Sequence, residues 1–203
     1  MCGLSGSPTG GSLVDALAAI DAANADDPNK VVVRGVELPL ALAHGRLADD
    51  WVQRLQPDGD DAMRLAARAH HLRRWELPRA EYPEGRPGYL QWRRDQKARH
   101  ARDVEGLLSA AGYGEVVVGR VQALIRREYL VTDAAAQTVE DAACLVFLET
   151  QLTSLTERLT SERLGEVIRK TAAKMTPAGL AMIAEVPLTA TERQLLAEAL
   201  SET

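Results

Sequence analysis

Apolar residues recur every three or four positions through most of the chain, which is the spacing of one face of an α-helix. In the first such run, Leu13, Leu17 and Ile20 form the apolar stripe. The same spacing, read together with capping residues and prolines, predicts helices near 12–24, 39–55, 64–75, 87–111, 116–127, 133–149, 161–174, from 177 and from 189. We therefore predict an all-α fold, a single-domain helical bundle over 12–203.

The segment 137–149 is the most hydrophobic in the chain, and Asp133 is suited to cap the helix that contains it. An apolar helix of this kind belongs in the middle of a bundle. We expect Glu140 and Asp141 to be drawn inward with it, beside Cys144. A buried carboxylate needs a partner, so these two acids become candidates for chemistry.

Two segments lack the helical pattern. Residues 1–11 are rich in Gly and Ser and predict a flexible tail. The valines at 31–33 and 36 favour an extended piece, but one strand without partners cannot make a sheet, so we interpret this piece as a connector.

Composition narrows the class of protein. With 46% hydrophobic and 26% charged residues and no apolar run of membrane-span length, we expect a soluble protein without a membrane partner. Only two cysteines occur, and the residues after Met1 do not have the pattern of a secretory signal. We therefore expect a cytoplasmic protein. A net charge of -5 argues against a nucleic-acid partner. The sequence does not indicate an oligomeric state.

Residues 64–102 concentrate three of the four histidines and two of the three tryptophans. Arg68, His71 and Trp75 are spaced to share one face of a helix, and prolines then predict an extended loop. Arg93, Lys97 and His100 share a face of the next helix. We expect the two helices to present imidazoles and cations to each other.

The basic residues of this region suggest a ligand. Guanidinium groups bind phosphate and carboxylate in bidentate fashion, so a pocket for an anionic small molecule is one interpretation. The other is that these side chains cover apolar surface or pair with acids. The candidate substrate-binding residues are Arg46, Arg74, Arg86, Arg93 and Lys97, of which Arg86 is expected in a loop.

Several strings together resemble one family. They are Ile-Asp-Ala-Ala-Asn at 20–24, Ala-Arg-Ala-His-His-Leu-Arg-Arg-Trp at 67–75, Gly-Arg-Pro-Gly-Tyr-Leu-Gln-Trp-Arg at 85–93, Glu-Asp-Ala-Ala-Cys-Leu-Val-Phe-Leu-Glu at 140–149, and Arg-Lys-Thr at 169–171 with Lys-Met at 174–175. Nearly the whole chain after the tail resembles the family of domain of unknown function 4202.

The order of histidines and acids also resembles HD-type metal-dependent phosphohydrolases, although the chain has His70-His71 where the HD signature has adjacent His and Asp. This resemblance implies an HD-like bundle in which His71, His100 and Asp141 hold a divalent metal such as Mn, Fe, Co or Zn. It also implies catalytic roles for His71, Asp141 and Glu140, with a metal-bound water as nucleophile.

Three functions follow from these observations. The first is a metal-dependent hydrolase of a phosphorylated or carboxylated small molecule. The second is a metal-free module that binds an anion or a partner, in which the histidines are interior groups hydrogen-bonded to backbone or to Asp141. The third is an HD-like metal oxygenase. We expect an enzyme of the first kind.

Overall fold

The computed structural model describes residues 11–201. Of the tail expected at 1–11, only Gly11 is described, so residues 1–10, with Cys2, lie outside this range. Helices make up most of it, together with one two-stranded hairpin, and the all-α prediction is confirmed. The elements are α1 (Leu13–Asn24), β1 (Lys30–Val33), β2 (Val36–Pro39), α2 (Leu40–Leu55), α3 (Asp61–Ala69), α4 (Gly85–Ala110), α5 (Glu115–Arg126), α6 (Ala134–Thr156), α7 (Ser161–Ala172), α8 (Pro177–Met182) and α9 (Ala190–Ser201).

Helix α6 lies at the centre of the bundle, as its apolar sequence predicts. It packs against α2, α3, α5, α7 and α8. Its residues Ala142 and Leu145 are fully buried, and Glu140 and Asp141 are drawn inward with them. Across the helices of 11–201, none combines the length and apolar character that a membrane span requires.

The helix starts follow the capping chemistry of the sequence. The carboxylate of Asp133 accepts hydrogen bonds from the backbone N–H groups of Ala135 and Ala136 at the start of α6. Before α9, Glu192 accepts from the backbone N–H of Thr189, and the Thr189 hydroxyl accepts from the backbone N–H of Glu192. This reciprocal pair is the capping box that the sequence indicated.

The interpretation of residues 31–36 as a connector is wrong. Strands β1 and β2 pair antiparallel, with Val33 opposite Val36. Arg34 and Gly35 form the two-residue turn with φ of 50° and 83°. Positive φ at both turn positions matches the twist of the flanking strands, so the extended piece folds back and supplies its own partner.

The single helical face proposed for Arg68, His71 and Trp75 is also wrong. Helix α3 ends at Ala69, and Trp75 lies in a short 3₁₀ turn. Arg73 adopts a left-handed conformation with φ of 48°, and its backbone N–H donates to the side-chain oxygen of Asn24 at 2.9 Å. This left-handed residue, bonded to α1, prevents one continuous helix from reaching Trp75.

Candidate functional site

A cavity of about 370 Å³ opens between α2, α4, α5, α6, α7 and the segment that follows α3. All four histidines of the chain line it. His44 comes from α2, His70 and His71 follow the end of α3, and His100 comes from α4. The volume is at the lower end of the range of small-molecule sites, roughly 300 to 1,000 Å³.

Close packing of α2 on α3 brings His44 to the other histidines. Next to His44, a Cβ on Gly45 would lie 2.5 Å from the carbonyl oxygen of Arg68, so only glycine allows this approach. The Nδ1 atoms of His44 and His71 are 2.9 Å apart. Ring centroids are 4.0 Å apart for His70 and His71, and 6.4 Å for His71 and His100.

The hydrogen bonds of Thr150 determine the tautomers of His44 and His71. The Thr150 hydroxyl lies 2.7 Å from the carbonyl oxygen of Val146 and 3.1 Å from His44 Nε2. A carbonyl only accepts, so the hydroxyl proton goes to Val146 and His44 Nε2–H donates to Thr150. His44 Nδ1 is then an acceptor, and His71 Nδ1–H donates to it. This leaves a lone pair on His71 Nε2.

The other two histidines, His70 and His100, also keep a lone pair on Nε2, because backbone carbonyls accept from their Nδ1–H groups. His70 Nδ1 is 2.7 Å from the carbonyl oxygen of Ala67, and His100 Nδ1 is 2.7 Å from that of Leu72. Each Nδ1–H therefore donates to a carbonyl, and each neutral ring keeps its lone pair on Nε2. His70, His71 and His100 thus have the same tautomer.

The histidines are held neutral. Burial first, and the Arg74 guanidinium second, lower the pKa of His44 to about 4 and the pKa of His100 to about 3. Burial likewise lowers the pKa of His70 and His71 well below the ordinary value. The imidazoles therefore act as neutral hydrogen-bonding or ligating groups rather than as cations.

Three partly buried cations on the wall have no acidic partner among the described residues; Lys174, the other wall cation without an ion pair there, is exposed. Among the described residues, no carboxylate forms an ion pair with Arg74, Arg93 or Lys97. The Arg74 guanidinium lies 4.5 Å from the ring centroid of Trp92, and that of Arg93 lies 5.8 Å from the ring centroid of Tyr89. Aromatic faces thus orient two of these groups and leave their hydrogen-bond donors available.

The cations on the cavity wall also repel one another. Burial first, and the charge of Arg93 second, lower the pKa of Arg74 to about 10. Burial and then the charges of Arg127 and Arg93 lower the pKa of Lys97 to about 8. Both groups are still mainly protonated at neutral pH, so the cavity is cationic although the chain carries a net charge of -5.

Glu140 is the acidic residue on the cavity wall. It forms a buried ion pair with Arg127, which follows α5 in a left-handed conformation with φ of 61°. The carboxylate is therefore already neutralised by a neighbouring cation. Glu140 lies in the predicted site, but it does not neutralise Arg74 or Arg93.

Asp141 does not line the cavity, and the structure does not bring it together with His71 and His100. Its carboxylate accepts hydrogen bonds from the Gln137 side chain and from the backbone N–H and hydroxyl of Thr176, just before α8. Gly179 of α8 lies so close that a Cβ there would be 2.6 Å from the Asp141 Cγ. In this arrangement Asp141 fixes α8 on α6.

The expected metal ligands therefore do not form a metal site as the side chains lie. Between residues 11 and 201, no three His, Cys, Asp or Glu side chains are arranged to hold a metal ion together. The tautomers of His70, His71 and His100 are suited to ligation, but these three side chains do not form a group that could hold a metal ion.

Two of the predicted substrate-binding arginines lie outside the cavity. Arg46 forms an ion pair with Asp21 at 2.9 Å on the face of α2 that meets α1. Arg86 is exposed in the first turn of α4 and not in the predicted loop, because this helix begins at Gly85 rather than at Pro87. Arg74, Arg93 and Lys97 are the predicted cations that the structure does bring together.

The sequence prediction omitted His44, His70, Gln96 and Arg127 from the site. Gln96 could have been found, because it lies three residues after Arg93 and four before His100 on the same helix. His44, His70 and Arg127 gave no such signal, since tertiary packing alone places them in the cavity wall.

An all-α bundle with a cationic, histidine-lined cavity is thus the class of protein that the fold and site define. The family model of a domain of unknown function, DUF4202, matches residues 14–196, and the chain belongs to this family. No curated protein and no solved structure matches the chain. The HD-like resemblance stays a prediction.

Proposed function

We propose that this protein is an enzyme that binds an anionic small molecule in the histidine-lined cavity and hydrolyses it, with His71 as general base. The observation that carries the proposal is the group of Arg74, Arg93 and Lys97 on the cavity wall, without acidic partners in the described range. Unpaired, desolvated cations destabilise a protein, and a phosphate or carboxylate ligand relieves that destabilisation. The small volume favours a metabolite-sized anion over a macromolecule.

His71 has the hydrogen bonds that a general base requires. Its Nδ1–H is held by His44, whose Nε2–H is held in turn by Thr150. The ring is thereby fixed with the Nε2 lone pair free to accept a proton from a water molecule. His44 and Thr150 act on the reaction through His71 and are positioning residues.

Binding of the anion and activation of the base are linked. Arg74 is one of the charges that lower the pKa of His71. An anion that neutralises Arg74 removes that influence, so the basicity of His71 rises when substrate is present.

The variant His71→Asn tests this assignment. The Asn amide nitrogen takes the place of Nδ1 and keeps a donor for His44, while the Nε2 lone pair is lost. We expect the rate of hydrolysis of phosphate esters and carboxylate esters to fall by roughly 10²-fold to 10⁴-fold. The release of phosphate or of acid measures this rate. Calorimetric binding of inorganic phosphate should persist. A variant that turns over like the wild type while still binding phosphate would contradict the role of His71.

The metal-dependent hydrolase expected from the sequence is the second candidate. It is favoured by the tautomers of His70, His71 and His100, because metal-binding imidazoles also donate one N–H to the protein and keep the other nitrogen free. Elemental analysis separates the two candidates, since only the second requires stoichiometric Mn, Fe, Co or Zn and activity that a chelator abolishes. Bound iron with oxygen-dependent spectra would instead favour the oxygenase.

A further inference from the structure

Two buried acceptor atoms lie one turn apart on α4. Gln96 and His100 both line the cavity, and each residue is only 1% exposed. The Gln96 side-chain N–H₂ donates to the carbonyl oxygens of Arg74 and Leu77, at 2.9 and 2.8 Å. Because a carbonyl only accepts, these bonds fix the orientation of the amide and leave its Oε1 as the free atom.

No described residue donates a hydrogen bond to Gln96 Oε1 or to His100 Nε2. His100 Nδ1–H is already given to Leu72, so Nε2 presents a lone pair. A buried acceptor without a donor destabilises a fold by about 1 to 3 kcal/mol, and such atoms are usually satisfied by a ligand or a water. Two of them on one helix face form a subsite for a donor.

The charges around the subsite limit what that donor can be. Arg93 and Lys97 lie on the same helix, and Arg74 lies on the adjoining segment. An ammonium group would be repelled by these cations. A hydroxyl group donates without adding charge, and it is common on anionic metabolites.

We propose that Gln96 Oε1 and His100 Nε2 bind a hydroxyl group of the substrate, which is therefore a hydroxylated phosphate or carboxylate. This inference rests on the proposed anion-binding function of the cavity and specifies its substrate class. Arg74, Arg93 and Lys97 hold the charged group, and the two acceptors select for the hydroxyl.

Matched pairs of ligands test the subsite. We would measure calorimetric binding of glycerol 3-phosphate against n-propyl phosphate, and of glycerate against propionate. We expect the hydroxylated member of at least one pair to bind roughly tenfold more tightly, because its analogue leaves the buried acceptors unpaired. His100→Asn keeps a donor for Leu72 and loses Nε2, so it should reduce this preference.

A second measurement needs no variant. In ¹⁵N-labelled wild type, the Nε2 resonance of His100 should shift with the hydroxylated ligand and not with its deoxy analogue. Equal binding of both members of each pair would overturn the subsite and leave the anion-binding function intact, since a bound water would then satisfy both acceptors. Failure of all four probes to bind at millimolar concentration would overturn the proposed function and the subsite with it.

Discussion

Two groups of cations in this bundle differ in their partners. At the junction of α1, α2 and α3, Arg46 and Arg68 pair with Asp21, and Arg64 pairs with Asp49 at 2.9 Å. We call this group the paired network. Around the cavity, the group of Arg74, Arg93 and Lys97, which we call the cavity cations, has no carboxylate partner in the part of the chain that the structure describes.

The difference shows which cations stabilise the folded structure. In the paired network, Asp49 is buried and bound by both Arg64 and Arg68, so removing one partner strands a charge. The hydrogen bond to Asp49 accordingly raises the pKa of Arg64 above its ordinary value. Burial instead lowers the pKa of Arg74 and Lys97, which is typical of groups that lack a counter-charge.

The largest expected effect is the response of stability to pH, which separates the cavity from the paired network. Each histidine has a pKa lower in the folded chain than in the unfolded chain, so the unfolded state binds more protons below about pH 6.5. Folding stability is therefore fully present above that pH and is lost as the pH falls towards about 4 for His44 and about 3 for His100. Below about pH 6.5, each histidine that stays neutral in the folded chain lowers the free energy of unfolding by about 1.4 kcal/mol per pH unit.

Urea unfolding at pH 7.5, 6.5 and 5.5 measures this loss. The paired network contains no histidine, so it lacks the groups that cause this loss. His44→Gln is the matched variant, because its amide can still donate to Thr150 while one titrating group is removed. Its stability should fall less steeply with pH than that of the wild type. An unfolding free energy that is flat from pH 7.5 to 5.5 would show that the histidines are not held neutral.

Local patterns predicted the parts of this molecule that depend on neighbouring residues. The apolar segment 137–149 placed α6 at the centre, and the Thr189 and Glu192 spacing marked the start of α9. The stripe of Arg93, Lys97 and His100 was visible for the same reason, since helical spacing alone brings them to one face.

The remaining features depend on residues that are distant along the chain. The left-handed turn at Arg73 is held by Asn24, and Arg68 is bound by Asp21, 47 positions away. The apolar helix indicated that Asp141 needs a partner, and the HD-type resemblance implied that this partner is a metal, but Thr176 hydrogen-bonds to the carboxylate. A sequence shows which side chains need a counterpart and does not show which counterpart they meet.

The second largest effect compares one arginine from each group. Arg68→Met removes a partner of both Asp21 and Asp49 and should lower the free energy of unfolding by about 3 kcal/mol. Arg74→Met removes an unpaired charge and keeps an apolar stem against Trp92, so a change of less than about 1 kcal/mol is expected. Urea unfolding at neutral pH measures both values. Equal losses would mean that the cavity cations are as structural as the paired network.

The smallest expected effect is the stabilisation of the folded state by an anion that binds to the cavity cations. At ten times its dissociation constant, a ligand stabilises the folded state by about 1.4 kcal/mol. Inorganic phosphate should therefore raise the melting temperature of the wild type, and the double variant of Arg74→Met with Lys97→Met should lose that rise. A matched chloride solution corrects for ionic strength.

Arg46 and Arg86 supply the controls, since the sequence placed both in the site and the structure places both outside the cavity. Arg46→Met and Arg86→Met each remove one positive charge, and combined they remove two, as the cavity double variant does. A general response of the chain to phosphate would therefore be weakened equally in the two double variants. We expect both control variants to keep the full rise in melting temperature. If Arg86→Met alone abolished it, the anion would bind at the start of α4, and the distinction between cavity cations and the other arginines would fail.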